Sequence, residues 1–290
     1  MENNKFVGLL KKTVRDKIIQ AGIVLPEDVE ASIKTALEDP RLSSEGVLVL
    51  SHIVKNLQIA EKSRLPMCQD TGMAVAFIDV GEDFPFSLKY IRRAVDQGVQ
   101  QAYLEGSFRK SVVSDPLFNR ENTGNNLPVV YHIQLVPGDA AVVHIMLKGF
   151  GSENCSGLSM LNPTDGAEGV VEAAAAMVKQ AGGKPCPPVV LGIGIGGTAE
   201  QALLLSKRAL FRKVGSPHQD YQYAELEKKI LQKVNSLGIG PGGFGGSPTA
   251  LGVMIEKEAT HIAGMPLGVS ISCWADRKTS IQIDSQGRIL

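Results

Sequence analysis

The stretch Gly182–Phe211 reads GGKPCPPVVLGIGIGGTAEQALLLSKRALF, and its reading decides the class of fold. Val189–Gly197 is a short run of aliphatic residues and glycines, which predicts a strand passing into a glycine loop. A helix is predicted from Thr198 to about Phe211. Upstream, Asp165 to Ala181 is Ala-rich and reads as a helix closed by Gly182-Gly183. Helix, strand and helix therefore follow one another over short connections. Further back, Leu127–Gly149 reads as a β-hairpin, with Val129, Val130, His132 and Leu135 before the turn Pro137-Gly138-Asp139 and AAVVHIMLKG returning. GMAVAFIDV (Gly72–Val80) suits a strand, and Pro85–Leu104 a helix. Residues 1–64 read as helical, because Phe6, Leu9, Leu10, Val14, Ile18 and Ile19 recur at helical spacing. Pro26 followed by Glu27 and Asp28 marks a first helical turn, and Ser43-Ser44-Glu45 starts a third helix. Downstream, Asp220–Leu237 is a further helix with Gly238 as its C′ residue, and short strands follow Gly238–Ser247 to the end. The expectation is an α+β chain: a helical N-terminal part, then mixed strands and helices, forming one domain over 1–290 in two lobes.

Composition narrows the function. Thirty Lys and Arg balance 30 Asp and Glu, so the net charge is zero, against the basic excess of nucleic-acid-binding proteins. Hydrophobic residues at 43% and charged residues at 21% are globular usage, which excludes a long disordered chain. Glycine is in excess, with 31 of 290 residues. No apolar run is long enough to span a membrane, and the charged start MENNKFVGLLKKTVRDK lacks the core of a signal peptide. The expected location is the cytoplasm, where four cysteines stay reduced and are available as ligands or nucleophiles.

Three of these cysteines sit at loop-like edges. Cys68 lies in Met67-Cys68-Gln69-Asp70-Thr71-Gly72, after Pro66 and before the predicted strand. Cys186 stands between Pro185 and Pro187, on a stiff segment that cannot enter a helix. Cys273 opens Cys273-Trp274-Ala275-Asp276-Arg277 at a strand end. Cys155, in Asn154-Cys155-Ser156-Gly157, is followed by small polar residues. A buried cysteine more usually sits mid-element among aliphatics. The gaps from Cys68 to Cys186 and from Cys186 to Cys273 are 118 and 87 residues, far longer than those of a zinc finger or a ferredoxin run. Any shared metal would join distant parts of the fold.

Over essentially its whole length the chain resembles the α subunit of the two-subunit class I fumarate hydratases, and next the related L-tartrate dehydratase α subunit. The residues that carry this are Cys68-Gln69-Asp70-Thr71-Gly72, Arg109 with Ser111, Asn122-Thr123-Gly124, Lys148-Gly149-Phe150-Gly151-Ser152, Cys186-Pro187-Pro188 and Cys273-Trp274-Ala275-Asp276-Arg277. The resemblance implies a [4Fe-4S] cluster held by Cys68, Cys186 and Cys273, with two lobes around it and Cys155 as a bystander. Three thiolates leave one iron open as a Lewis acid, whereas four would suit electron transfer. It further implies Asp70 as the acid of a hydro-lyase reaction, and Gln69, Arg109, the Gly151 backbone and His261 as contacts to a small dicarboxylate. The reaction implied is the reversible hydration of fumarate to (S)-malate, with tartrate dehydration as the alternative. A β subunit, absent from this chain, would supply the carbon base and further cations in an α2β2 assembly.

The residues also admit blander readings. Asp70 makes sense as an Asx-turn residue before Thr71-Gly72, Arg109 as a solvated surface arginine, and Gly151 as a turn residue. Gly192-Ile193-Gly194-Ile195-Gly196-Gly197 matches the GxGxxG pattern of an NAD(P)-dependent oxidoreductase, although no acidic residue ends a second strand at the expected distance. A non-enzymatic protein using all four cysteines for an Fe–S centre is the third class.

Overall fold

The computed structural model describes residues 2–40 and 42–290. Three helices open the chain: α1 (Glu2–Ile23), α2 (Glu27–Leu37) and α3 (Ser44–Ser63). Pro26 caps α2, and Glu27, Asp28 and Glu30 occupy its first turn, where the helix dipole favours negative charge. There follow β1 (Met73–Gly81), α4 (Leu88–Glu105), β2 (Val130–Val136), β3 (Ala141–Lys148), the short α5 (Phe150–Glu153) and β4 (Gly157–Leu161). The remainder is α6 (Gly166–Ala181), β5 (Val189–Gly197), α7 (Ala199–Ala209), α8 (Tyr221–Asn235), β6 (Ala250–Thr260), β7 (Met265–Ser272) and β8 (Lys278–Ile283). The expected α+β class is the observed one. Among the described residues, no helix is long and apolar enough to cross a membrane.

Contacts divide the chain into two units. The first comprises Met1–Leu25, Leu57–Gly149 and Arg277–Leu290. Its sheet has the order β2-β1-β3-β8. Every second residue of the strands (Ala74, Ala76 and Ile78; Val143, Ile145 and Leu147; Ile281 and Ile283) faces one core. Leu10, Val14 and Ile18 of α1 and Ile91, Val95 and Val99 of α4 close that core at helical spacing.

The structure corrects the expected hairpin here. Both strands exist, but β1 lies between them, parallel to β2 and antiparallel to β3. The Pro137-Gly138-Asp139 turn passes the end of β1, where the Gly81 amide donates to Ala140 O and the Glu82 amide to Val136 O. Local alternation identifies strands but carries no information about a third strand inserted from earlier in the chain.

The second unit comprises Pro26–Asn56 and Phe150–Asp276, with a sheet of order β4-β7-β5-β6. Val189, Leu191, Ile193 and Ile195 of β5 face a core with Val170, Ala174 and Val178 of α6 and Ile230 and Val234 of α8. The alternate positions Gly192 and Gly194 face α7. A Cβ on Gly192 would lie 2.0 Å from Ser206 O, and one on Gly194 2.1 Å from Ala202 O. Gly268, opposite Gly194 in β7, meets Ala202 O in the same way at 2.3 Å.

The glycine alternation therefore lets the backbone of α7 lie directly on the sheet. Contrary to the expected loop, the strand runs on through Gly197, which pairs with Thr260. Thr198 then starts α7 with a capping box to Gln201. The GxGxxG match thus has a packing explanation that involves no phosphate.

Candidate active site

In the second unit the sheet register brings two of the three predicted ligands to one place. Val190 of β5 pairs with Ser272 of β7, so the segment entering β5 and the segment leaving β7 share one end of the sheet. Cys186 precedes β5 and Cys273 follows β7, and the Trp274 amide donates to Cys186 O at 3.4 Å. Residues 88 apart in sequence are thus joined through the main chain.

Cys186 is exposed and adopts a positive φ of 55°, a conformation that costs an L-residue roughly 1–2 kcal/mol. Its amide donates to Gly183 O at 3.1 Å, and the Gly242 amide from the glycine-rich loop donates to Pro187 O at 2.7 Å. Those bonds hold the thiol at a fixed point of a turn rather than in a core. Cys273 is half-buried, and its thiol lies 3.8 Å from Ala275 O. None of the four cysteines is in a disulfide. Among the described residues, no cluster of three or more His, Cys, Asp or Glu side chains is arranged to hold a single metal ion.

Gly151, in α5, is exposed, and a Cβ there would stand 3.5 Å from Lys184 O, so it lies beside the turn that carries Cys186. Its carbonyl accepts from the Cys155 thiol at 3.3 Å. Gly151, Cys155, Gln180 and Lys184 line a cavity of about 400 Å³. His261 is elsewhere. It is exposed in the β6–β7 turn, where its Nδ1 accepts from the Ala263 amide at 3.1 Å. Cys273 follows the far end of β7, eight residues away along the strand, which at a rise of ~3.3 Å per residue is about 26 Å.

In the first unit the Cys68–Gly72 turn is held by its own Asp70 and Thr71 side chains and by two from distant parts of the sequence, Tyr103 and Asn126. Asp70 Oδ1 accepts from the Gly72 amide at 3.0 Å, so the Asx turn foreseen from the sequence does form. Its other oxygen, Oδ2, points to Gly149, lying 3.1 Å from where a Cβ would stand on that residue. The hydroxyl of Thr71 donates to Arg109 O at 2.8 Å and ties this turn to the loop carrying Arg109, whose side chain is exposed.

The Tyr103 hydroxyl lies 2.9 Å from Thr71 O and 2.7 Å from Gly72 O and donates its single proton to that pair. Asn126 is fully buried. It donates through Nδ2 to Gly72 O at 3.2 Å and accepts through Oδ1 from the amides of Ser111 and Val112 at 2.8 and 3.3 Å. Burial pushes the Tyr103 phenol well above its ordinary pKa, with the Asp70 carboxylate adding to the rise and Arg277 opposing it.

The loop beyond Arg109 is ordered by the Asn122-Thr123-Gly124 segment. Asn122 Nδ2 donates to Lys110 O at 2.9 Å, and its Oδ1 accepts from the Gly124 amide at 2.8 Å. Two cations are buried in this unit, Lys148 at 3% exposure and Arg277 at 2%. Tyr103, Asn126 and Arg277 escaped the sequence reading. Tyr103 sits on a helix among apolar neighbours, and Asn126 is one polar residue in a polar loop. Arg277 belongs to a quoted motif, which is the only signal that could have found it.

Comparison with known proteins agrees with this picture. The profile of the family described as Fumarate hydratase (Fumerase) matches residues 11–282. The chain is 43% identical over 276 residues to a Methanocaldococcus jannaschii protein whose name gives it provisionally as an L(+)-tartrate dehydratase subunit alpha, with 92% of this chain and 95% of that one covered. It is 32% identical over 286 residues to the L(+)-tartrate dehydratase subunit alpha of Escherichia coli K12, covering 97% of this chain and 94% of the other. The chain belongs to the fumarate hydratase (Fumerase) family.

Proposed function

We propose that this chain is the α subunit of an Fe–S-dependent hydro-lyase acting on a small dicarboxylate, with Cys68, Cys186 and Cys273 as the ligands of a [4Fe-4S] cluster. The observation that carries this reading is the pairing of Cys186 with the Cys273 segment. Two thiols on loop ends, one exposed and one half-buried, are a donor set suited to a cluster rather than to a packed core. When bound, a three-thiolate cluster supplies an open Lewis-acid position.

The chain's own residues do the rest. Asp70, fixed through Oδ1 by the Gly72 amide, presents Oδ2 as the acid that handles the departing hydroxyl. Arg109 offers a guanidinium to a substrate carboxylate from a loop anchored by Thr71. Gln69, exposed in the same turn, and the Gly151 backbone complete the contacts made by this chain. His261, in the turn at the far end of β7 from Cys273, is a further substrate contact on this reading.

Reversible hydration of fumarate to (S)-malate is the primary reaction, in a cytoplasmic α2β2 enzyme whose β subunit completes the site. Dehydration of L(+)-tartrate is the second reading, favoured by the names of the M. jannaschii and E. coli relatives. The test is anaerobic reconstitution with iron and sulfide, with and without the β subunit, on the wild type and on Cys155→Ser and Cys186→Ser. Iron and sulfide content is read alongside the turnover of fumarate and of L(+)-tartrate. The expectation is near-normal iron in Cys155→Ser, lost iron in Cys186→Ser, and turnover only with the β subunit. Equal loss of iron in both variants would point to the four-cysteine protein, and full turnover by the α chain alone would refute the shared site.

A further inference from the structure

Arg277 has no part in the chemistry assigned above, yet it is a strange residue for a fold to bury. It is 2% exposed, and its Nε and Nη1 are buried without hydrogen-bond partners. A guanidinium cannot shed its proton to ease burial. A buried cation with bare N–H groups is costly unless an opposite charge lies nearby.

One group within its reach is Asp70. The Asp70 Oδ2 and the Arg277 Nη2 converge on one point, the place where a Cβ of Gly149 would stand, at 3.1 and 3.5 Å from it. Gly149 is buried, directly after β3, and its φ is not in the left-handed region, so its backbone does not demand glycine. The empty space on its Cα is what the carboxylate and the guanidinium share.

We propose that Arg277 is a positioning residue for Asp70, and that Gly149 is glycine because a side chain would stand in the space these two charged groups share. The Gly72 amide fixes Oδ1 and the Arg277 guanidinium orients the Oδ2 side, so the carboxylate cannot turn about its own axis. This rests on the reading of Asp70 as the acid.

The test uses the holoenzyme, with four variants: Arg277→Met, Arg277→Lys, Gly149→Ala and Asp70→Asn. Steady-state kcat and KM, iron content and melting temperature are read for each. In Arg277→Met, kcat falls about 100-fold with KM within about threefold, the split expected when an interaction serves the transition state only. Free guanidinium ion restores at least about a tenth of the lost rate in that variant, and Arg277→Lys remains impaired because a point charge lacks the planar fork. Gly149→Ala moves the carboxylate by only a few tenths of an ångström and lowers kcat about tenfold at unchanged iron content.

The proposal is overturned if Arg277→Met keeps its kcat, if its loss lies in KM alone, or if the folded, iron-loaded variant gains nothing from guanidinium. Should Arg277→Met fail to fold, Gly149→Ala decides, and full activity there refutes the proposal. Asp70→Asn separates the two levels. If it turns over normally, the assignment of Asp70 has failed. If it is inactive while Arg277→Met is normal, only the role of Arg277 has.

Discussion

Replacing Tyr103 with Phe deletes one oxygen and leaves the ring in place, packed edge-on against Phe108 at a centroid distance of 5.2 Å. The missing hydroxyl serves Thr71 O and Gly72 O, the two carbonyls immediately after Asp70. Loss of one buried hydrogen bond costs about 1–1.5 kcal/mol, and up to about 2 where a buried acceptor is left bare. Gly72 O keeps the Asn126 amide, so the lower half of that range is expected. At about 2–4 °C per kcal/mol for a domain of this size, the melting temperature falls by about 3–5 °C.

The same variant has a pH signature. Burial raises the Tyr103 phenol above its ordinary value of 10.0. Below about pH 10 both folded and unfolded chains keep the proton, and the full contribution of the group is present. As pH rises through the ordinary value, the unfolded chain releases its proton first, and the wild type loses stability at up to about 1.4 kcal/mol per pH unit. Tyr103→Phe has no such proton, so its deficit relative to the wild type shrinks between pH 10 and 11.5. Urea denaturation at pH 8, 10 and 11.5, followed by far-UV circular dichroism, measures both effects. A variant whose urea-derived stability at pH 8 is within about 0.3 kcal/mol of the wild type, or whose deficit grows with pH, would refute the role given to this hydroxyl.

Two further outcomes test the second unit. Gly194→Ala drives a Cβ to 2.1 Å from Ala202 O and 2.6 Å from the Ser206 amide nitrogen, both backbone atoms of α7. It should destabilise by about 3 kcal/mol or more and reduce soluble yield, whereas NAD(P)H leaves wild-type melting unchanged; a stabilising shift on adding the cofactor would revive the dinucleotide reading. Glu227 is buried and accepts from Arg212 Nη1 at 2.6 Å, the Ile255 amide at 2.8 Å and the His218 amide at 2.9 Å. Glu227→Gln should lower the urea midpoint by the equivalent of about 2–4 kcal/mol, since the replacement amide weakens the tie to Arg212 and cannot accept from every donor; an unchanged midpoint would show that the network adds no stability.

Much of the local structure was legible because its causes are local. Pro26 with its acidic first turn, Thr198 with Gln201, and the apolar spacing of α1, α4 and α8 all mark elements within a few residues of themselves. The pairing of strands was not. The insertion of β1 between β2 and β3 pairs segments from distant parts of the sequence across the sheet. The glycines of β5 were visible as a pattern, but their purpose lay in the backbone of α7, a partner that the pattern does not name.

The sequence by itself determined the α+β class, the family and the residue types available for chemistry, because composition, periodicity and ordered motifs are properties of the chain. Only the tertiary structure decided that Cys186 and Cys273 lie side by side while His261 stands at the other end of the same strand. It alone decided that Asp70 shares the empty face of Gly149 with a buried Arg277. Sheet register and burial are set by contacts between residues far apart in sequence, and no local pattern records them.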